Sequence, residues 1–372
     1  MNKMTMVRIL IPILCIIFLV VGNSFASREP RAGHDDAHAM HVYTARVIEI
    51  VDVTWNEENP FDDTITVIFR AEITGRGSRR GQVVAATQTF IGQLVFQDNA
   101  VEIGDRIMLY HDDFNGQFMY SGHVRLHFVV MLGLVFFGLM LLFARAKGLN
   151  AMLALGFICA AIFFVMVPAV LAGRNIYVIT LIICAYAILS TLPMVIGLNK
   201  KAYAAMLGCA GGVALAAILF FTMAHIAQLT GFVDHDATWL TMLDNPIDLR
   251  GILFAGVVLG ALGAIMDVAL SISSSLWEVR QAGEKLGFRR LFASGMTIGQ
   301  DMMGTMLNTL ILAYIGSSLS WIILISAHST SFTLLFNAEL VIVELLRALV
   351  GSMGMLFAIP LTAAVCGWWY DR

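Results

Sequence analysis

The chain has 372 residues, of which 59% are hydrophobic and only 13% charged, against about 25% charged in an ordinary soluble domain. A mean hydropathy of +0.81 points to a polytopic membrane protein, while the net charge of −3 says little, because the charges crowd into residues 28–125 and a few short loops; no nucleic-acid partner is expected. The five cysteines, Cys15, Cys159, Cys184, Cys209 and Cys366, all lie in apolar stretches, so they read as packing residues; no disulfide framework, metal site or cofactor is expected.

In residues 1–27, Lys3 and Arg8 precede the apolar run ILIPILCIIFLVVG and the small residues Ser24 and Ala26. That order describes a signal peptide or an uncleaved anchor helix, and either one exports the segment C-terminal to it. Residues 28–41, REPRAGHDDAHAMH, read as a polar linker, with His34, His38, His41, Asp35 and Asp36 solvated rather than gathered on a metal.

Between 42 and 125 the pattern changes to short alternating or β-branched runs: YTARVIEIVDVTW, DTITVIFRAEIT, GQVVAATQTF, GDRIMLYHD and QFMYSGHVRL. Five strands in a segment of this length predict a small exported all-β barrel, OB-like or SH3-like. The basic turn GRGSRR reads as a solvated hairpin, or as a contact to acidic headgroups, an envelope protein or wall polymer.

Residues 126–372 predict a helical membrane domain, since a bilayer core of about 30 Å takes roughly 20 apolar residues to cross. Hydrophobic runs fall near 127–143, 149–171, 176–197, 203–227, 251–275, 295–316, 319–336 and 340–369, about seven to eight spans, with 319–336 short enough to be re-entrant. The basic loops RAKGLNA, LNKKA and WEVRQAGEKLGFRR alternate with loops poor in positive charge. By the positive-inside rule they are cytoplasmic, which leaves the β domain outside a multi-pass bacterial cell membrane.

Polar residues inside these runs are the candidate site. Gly256, Gly260, Gly263, Asp267, Ser271 and Ser274 recur at steps of three and four, so they share one helix face. Its glycines, like Gly304 on the next run, read as places where another helix backbone comes close. In that next run Thr297, Asp301, Thr305 and Asn308 share a face. Asp267 and Asp301 each stand about eight residues from the loop between the runs, roughly 12 Å into the membrane, and are level if the two helices form a hairpin. An ionisable residue at that depth is expected to face the bundle interior. Two level carboxylates repel if both are ionised, so they read either as a proton or cation site on a transport path or as interhelical glue, hydrogen-bonding with Asn308 to serine, threonine and backbone. Glu344 and Arg347, three apart, read as a local ion pair or, for Arg347, as a counter-charge to the two acids. The scattered methionines read as packing, not copper ligation.

The segments DLRGILFAGVVLGALGAIMDVALSISSSLWEV, GMTIGQDMMGTMLNTLILAYIGSSL and AELVIVELLRALVGSMGMLFAIPLTA resemble the hallmark segments of the YibE/F-like family of bacterial membrane proteins. The likeness runs over roughly 42–369 and includes the VEIGDRI turn of the β domain. It implies a multi-spanning protein of a kind often described as a permease, and carries no substrate. Three readings are then open. The first is a permease or secondary transporter with a proton or cation site at Asp267 and Asp301. The second is a membrane-anchored envelope scaffold acting through the β domain. The third is an intramembrane aspartyl protease, against which GQD at 299–301 departs from the GxGD signature.

Overall fold

A computed structural model of the chain describes residues 3–26, 42–56, 64–75, 79–91, 100–112, 116–233, 235–242, 245–282, 287–328 and 332–370. The linker at 28–41, the turn at 59–63 and the centre of the basic turn at 76–78 lie outside the described residues. The chain divides into two compact units, Gly33–Leu139 and a second made of Met1–Ala32 with Met140–Arg372.

The first unit holds a closed barrel of five strands, β1 (Val42–Asn56), β2 (Thr64–Ile73), β3 (Val83–Ile91), β4 (Arg106–Asp112) and β5 (Gln117–His123). Their order around the barrel is β1-β2-β3-β5-β4, with β3 and β5 parallel and the remaining pairs antiparallel. Alternation drives it: Ile65, Val67, Phe69, Ala71 and Ile73 of β2 all point inward and are buried, where Ile107 and Leu109 of β4 and Phe118 of β5 meet them. Gln88 is a buried polar side chain in this core, and its Oε1 accepts from Val101 N at 3.0 Å. β1 carries two register shifts, at Val47/Glu49 and Ile50/Asp52, which bend a long strand around a small barrel.

The helices are α1 (Lys3–Ala26), α2 (Leu126–Leu171), α3 (Ile176–Ile196), α4 (Lys200–Ile226), α5 (His235–Thr241), α6 (Leu249–Gln281), α7 (Phe288–Ser317), α8 (Leu319–His328), α9 (Phe332–Asn337) and α10 (Glu339–Tyr370). Among the described residues five of them, α2, α3, α4, α6 and α10, are long and apolar enough to cross a membrane. The expected seven to eight spans are therefore corrected to about five, for three reasons. The runs at 127–143 and 149–171 fall in one 46-residue apolar helical stretch, in which two helices meet at a kink at Arg145 (φ 48, ψ −130), where the loop was expected, and residues Ile162–Met166 form a π-helical turn. The run at 319–336 is split into the short helices α8 and α9. The run at 295–316 is a helix, α7, but too polar to count as an apolar span.

The helical unit is built around α10. Gly208, Gly212 and Ala216 of α4, spaced by four, run antiparallel along Thr362, Ala358 and Gly354 of α10. A Cβ built on Gly212 would meet the carbonyl oxygen of Gly354 at 2.9 Å and Ala358 Cβ at 3.0 Å, so the two backbones touch. α6 runs parallel to α10, with Ala261 against Gly351 and Ile265 against Gly354. α7 runs antiparallel, with Gly295 against Ala363 and Gly299 against Ile359. One end of the bundle is tied by Ser273, whose Oγ donates to Lys201 O at 2.7 Å and lies 2.8 Å from Tyr370 Oη, while Arg280 Nε donates to Tyr370 O at 2.9 Å. The end of α10 thus lies beside the basic residues at the end of α6. At the opposite end Glu339 accepts from the backbone N–H of Thr230 and Gly231 and from the Thr230 hydroxyl, at 2.6–2.7 Å, and so clamps the turn after α4 to the start of α10. α1 packs antiparallel to α3, with Phe18 stacked on Tyr186 at 4.2 Å and Gly22 against Val165 of α2.

The crossing of α4 and α10 sets a stability expectation. Gly212→Leu forces side-chain atoms into a backbone contact and lowers stability by about 1–3 kcal/mol or more. Gly156→Ala on α2, where a Cβ meets nothing within 4 Å, holds or gains a few tenths, since glycine is a poor helix former. Thermal melting of both variants in one detergent checks the pair.

Candidate functional site

Helix α6 presents two faces. Val257, Val258, Ala261, Ile265, Val268 and Ile272 are buried in the bundle, while Gly256, Gly260, Gly263 and Asp267 are exposed on the other side, with Ser271 and Ser274 partly so. Helix α7 divides the same way. Leu291, Gly295 and Gly299, spaced by four, are buried against the rest of the bundle, whereas Asp301, Gly304, Thr305 and Asn308 are exposed. Both acids were expected inside the bundle; on the single chain neither is buried. The physical reason is that α7 meets α10 with its glycines and so turns its polar side outward.

The contacts along α10 fix heights. Asp267 lies two residues beyond Ile265, which meets Gly354, and Asp301 lies two beyond Gly299, which meets Ile359. Counting along each helix, both acids come to about the level of Leu356 and Phe357, within roughly one turn of 5.4 Å. Among the described residues, Asp267 and Asp301 take part in no hydrogen bond and no ion pair. Thr305 and Thr297 turn their hydroxyls back to their own helix, donating to Met302 O and Ala293 O at 3.1 Å. No group of three or more His, Cys, Asp or Glu suited to a metal occurs among the described residues.

The glycines of α6 serve side chains more than backbones. A Cβ on Gly256 would lie 3.4 Å from Arg347 Nη2, and one on Gly260 would lie 2.7 Å from Tyr314 Oη. Gly263 and Gly304 have nothing within 4 Å of that position. Arg347 donates from Nη1 to Glu344 Oε1 at 2.8 Å, and both side chains are mostly buried, at 25% and 20% exposure. Arg347 is therefore paired within its own helix. Its head lies at the level of Gly256, about 16 Å along α6 from Asp267, too far for direct pairing. Around this pair Arg347 Nε, Glu344 Oε2 and Tyr314 Oη are buried without a hydrogen-bond partner. Three helices meet here in a polar cluster that closes one end of the open α6/α7 face. Tyr314 was missed in the sequence because a lone tyrosine near a helix end is unremarkable; its step of six from Asn308 and thirteen from Asp301 puts it off their face.

Removing one member of a mostly buried ion pair leaves the other charge uncompensated. Arg347→Leu is expected to lower stability by about 2–3 kcal/mol, and Glu344→Leu added to it to restore most of that loss. A double-mutant cycle on thermal unfolding reads the coupling.

No curated protein and no solved structure matches the chain. The family model described as YibE/F-like protein matches residues 132–372, well over half of the chain, including all of α3, α4, α6, α7 and α10; the β barrel lies outside the matched range. This multi-pass membrane protein belongs to the YibE/F-like family.

Proposed function

We propose that the chain is a permease that moves a proton or small cation along the polar faces of α6 and α7, with Asp267 and Asp301 as the binding carboxylates. The observation that carries this reading is their placement: two acids at about one height, exposed, and without a partner on either helix. Against lipid each would cost about 2.5–3.5 kcal/mol, so their faces border water or a bound ion instead. Ser271, Ser274, Thr305 and Asn308 continue the polar lining, and the open spaces at Gly263 and Gly304 leave room beside the acids. The Tyr314–Glu344–Arg347 cluster bounds the path at one end.

Orientation is argued from charge. Lys200, Lys201, Arg280, Arg289 and Arg290 all fall at the ends of α4, α6 and α7 that lie with the end of α10, so that end is cytoplasmic and the C-terminus with it. RAKGLNA lies at the kink of α2 at Arg145 and is left out of this count.

A second reading, an envelope scaffold acting through the barrel, is favoured by one observation: Ile48, Ile50, Val51 and Trp55 of β1 are exposed, an apolar patch of the kind that docks a partner. Deleting 42–125 abolishes function under that reading and leaves basal flux under ours.

The test of the permease is flux in proteoliposomes with pyranine inside, under imposed gradients of protons, Na⁺, K⁺ or Mg²⁺. Asp267→Asn and Asp301→Asn are each expected to slow the parent's ion-dependent signal by about tenfold, equivalent to losing about 1.4 kcal/mol of ion binding. Undiminished flux in both variants would remove the acids from the path.

A further inference from the structure

We infer that one end of the β barrel, around Arg106, Arg125 and Ile103, docks on the anionic phospholipid surface of the leaflet in which α2 begins. The barrel and the first turns of α2 belong to one compact unit, and the chain between them sets the distance. β5 ends at His123 and α2 starts at Leu126. Val124 N still donates to Arg106 O at 2.9 Å, so the pairing with β4 continues to within two residues of the helix. The helix is then apolar and exposed at once, at Leu126, Phe128, Val129 and Val130. Two residues of chain span at most about 7 Å, and a headgroup layer is roughly 5–8 Å deep, so this end of the barrel lies at the headgroups.

What the barrel presents there suits lipid. Arg46 and Arg106 stand directly opposite each other across β1 and β4, on the outer side of strands whose Ala45, Val47 and Ile107 point inward. Like charges so placed destabilise a sheet, and a phosphate between them removes that cost. Arg125 follows Val124, which puts a third exposed cation beside Arg106. Among the described residues, no side-chain hydrogen bond or ion pair engages any of the three. Of the nearby acids, Asp105 accepts from Glu102 N at 2.9 Å and lies 3.8 Å from His123 Nδ1, and Glu49 pairs with Arg70 at 3.4 Å; Glu72 and Glu102 are left against three arginines. The turn at 102–105 is tied to β1 by Gly104 N donating to Val47 O at 2.8 Å and Val47 N donating to Asp105 O at 3.0 Å. Gly104, at φ 100, makes this turn and leaves Ile103 at its tip 68% exposed, with Ile48 exposed next to Val47. An apolar tip among arginines, held by the chain itself where it enters hydrocarbon, fits a bilayer surface rather than a soluble protein. The dock is independent of the proposed ion path, which lies on α6 and α7.

The experiment places the full chain, its five native cysteines replaced, in nanodiscs of neutral or of part-anionic phospholipid, with an environment-sensitive dye on Ile103→Cys or Val83→Cys. β3 runs parallel to β5, so Val83 at its start, also exposed, stands at the other end of the barrel and serves as the control. In anionic discs the dye at 103 is expected to be quenched by nitroxide-bearing lipid and shielded from aqueous iodide, and the dye at 83 to behave the opposite way. Replacing Arg46, Arg106 and Arg125 by glutamine is expected to lower the docked-to-free ratio by about fivefold for each. The comparison of neutral with anionic discs keeps all three arginines, so it decides the matter even if a variant fails to fold. Equal iodide quenching at 103 and 83 overturns the dock. Shielding at 103 without quenching by lipid also overturns it, since a protein or a second copy would then cover the surface. Lipid quenching that is the same in neutral and anionic discs removes the arginines from it and contradicts the proposal.

Discussion

The helical unit depends on one constraint: in lipid there is no hydrophobic drive to bring helices together, so association rests on how closely their surfaces can approach. Here the approach is made by small residues on α10. Gly354, Ala358 and Thr362 meet Ala216, Gly212 and Gly208 of α4, and the carbonyl oxygens of Gly212 and Gly354 come within contact of each other's α-carbon environment. Gly351 and Gly354 also receive Ala261 and Ile265 of α6, and Ala363 and Ile359 receive the glycines of α7. A helix that touches three neighbours through small side chains sets their heights relative to one another. The level placement of Asp267 and Asp301 is a consequence of that packing, not of any contact between the acids.

The same packing explains which polar groups are hidden. α6 and α7 lean on α10 with their small or apolar faces, so their polar faces turn the other way and remain open. Buried polar groups mark both ends, Ser273, Tyr370 and Arg280 at one and Glu344, Arg347 and Tyr314 at the other, with Ser352 and Thr362 of α10 buried between them. The first group is satisfied by hydrogen bonds; the second leaves three polar atoms without partners. A satisfied end and an unsatisfied end give the open face between them a direction, with the adjustable contacts at the end where Tyr314 and Arg347 fill the space left by Gly260 and Gly256.

Much of the architecture was legible in the sequence, and the rest was hidden for definite reasons. The barrel strands are readable from alternation, because a period of two can only sort residues into inside and outside. The spans at α3, α4, α6 and α10 are readable from apolar length. The break read at Arg145 is where two helices meet at a kink of α2, while the count failed at the run 319–336, which divides into two short helices where one segment was expected, and at the polar α7. The glycine stripe of α6 was visible but its use was not, since spacing does not reveal whether a helix or a side chain fills the gap. The α4 stripe in LGCAGGVALA carried the stronger packing signal, small residues every four positions at 208, 212 and 216, and was overshadowed by the stripe that bears an acid.

The central claim is that the open faces of α6 and α7 border water within the membrane. It is tested most directly by single cysteines at Ser271 and Thr305, in a chain whose five native cysteines are replaced, treated in native membranes with a membrane-impermeant thiol reagent. The account predicts that both positions label, while a cysteine at Leu207, exposed on α4 away from this face, does not. Silence at Ser271 and Thr305 together would mean that these faces are dry, and the account would be contradicted.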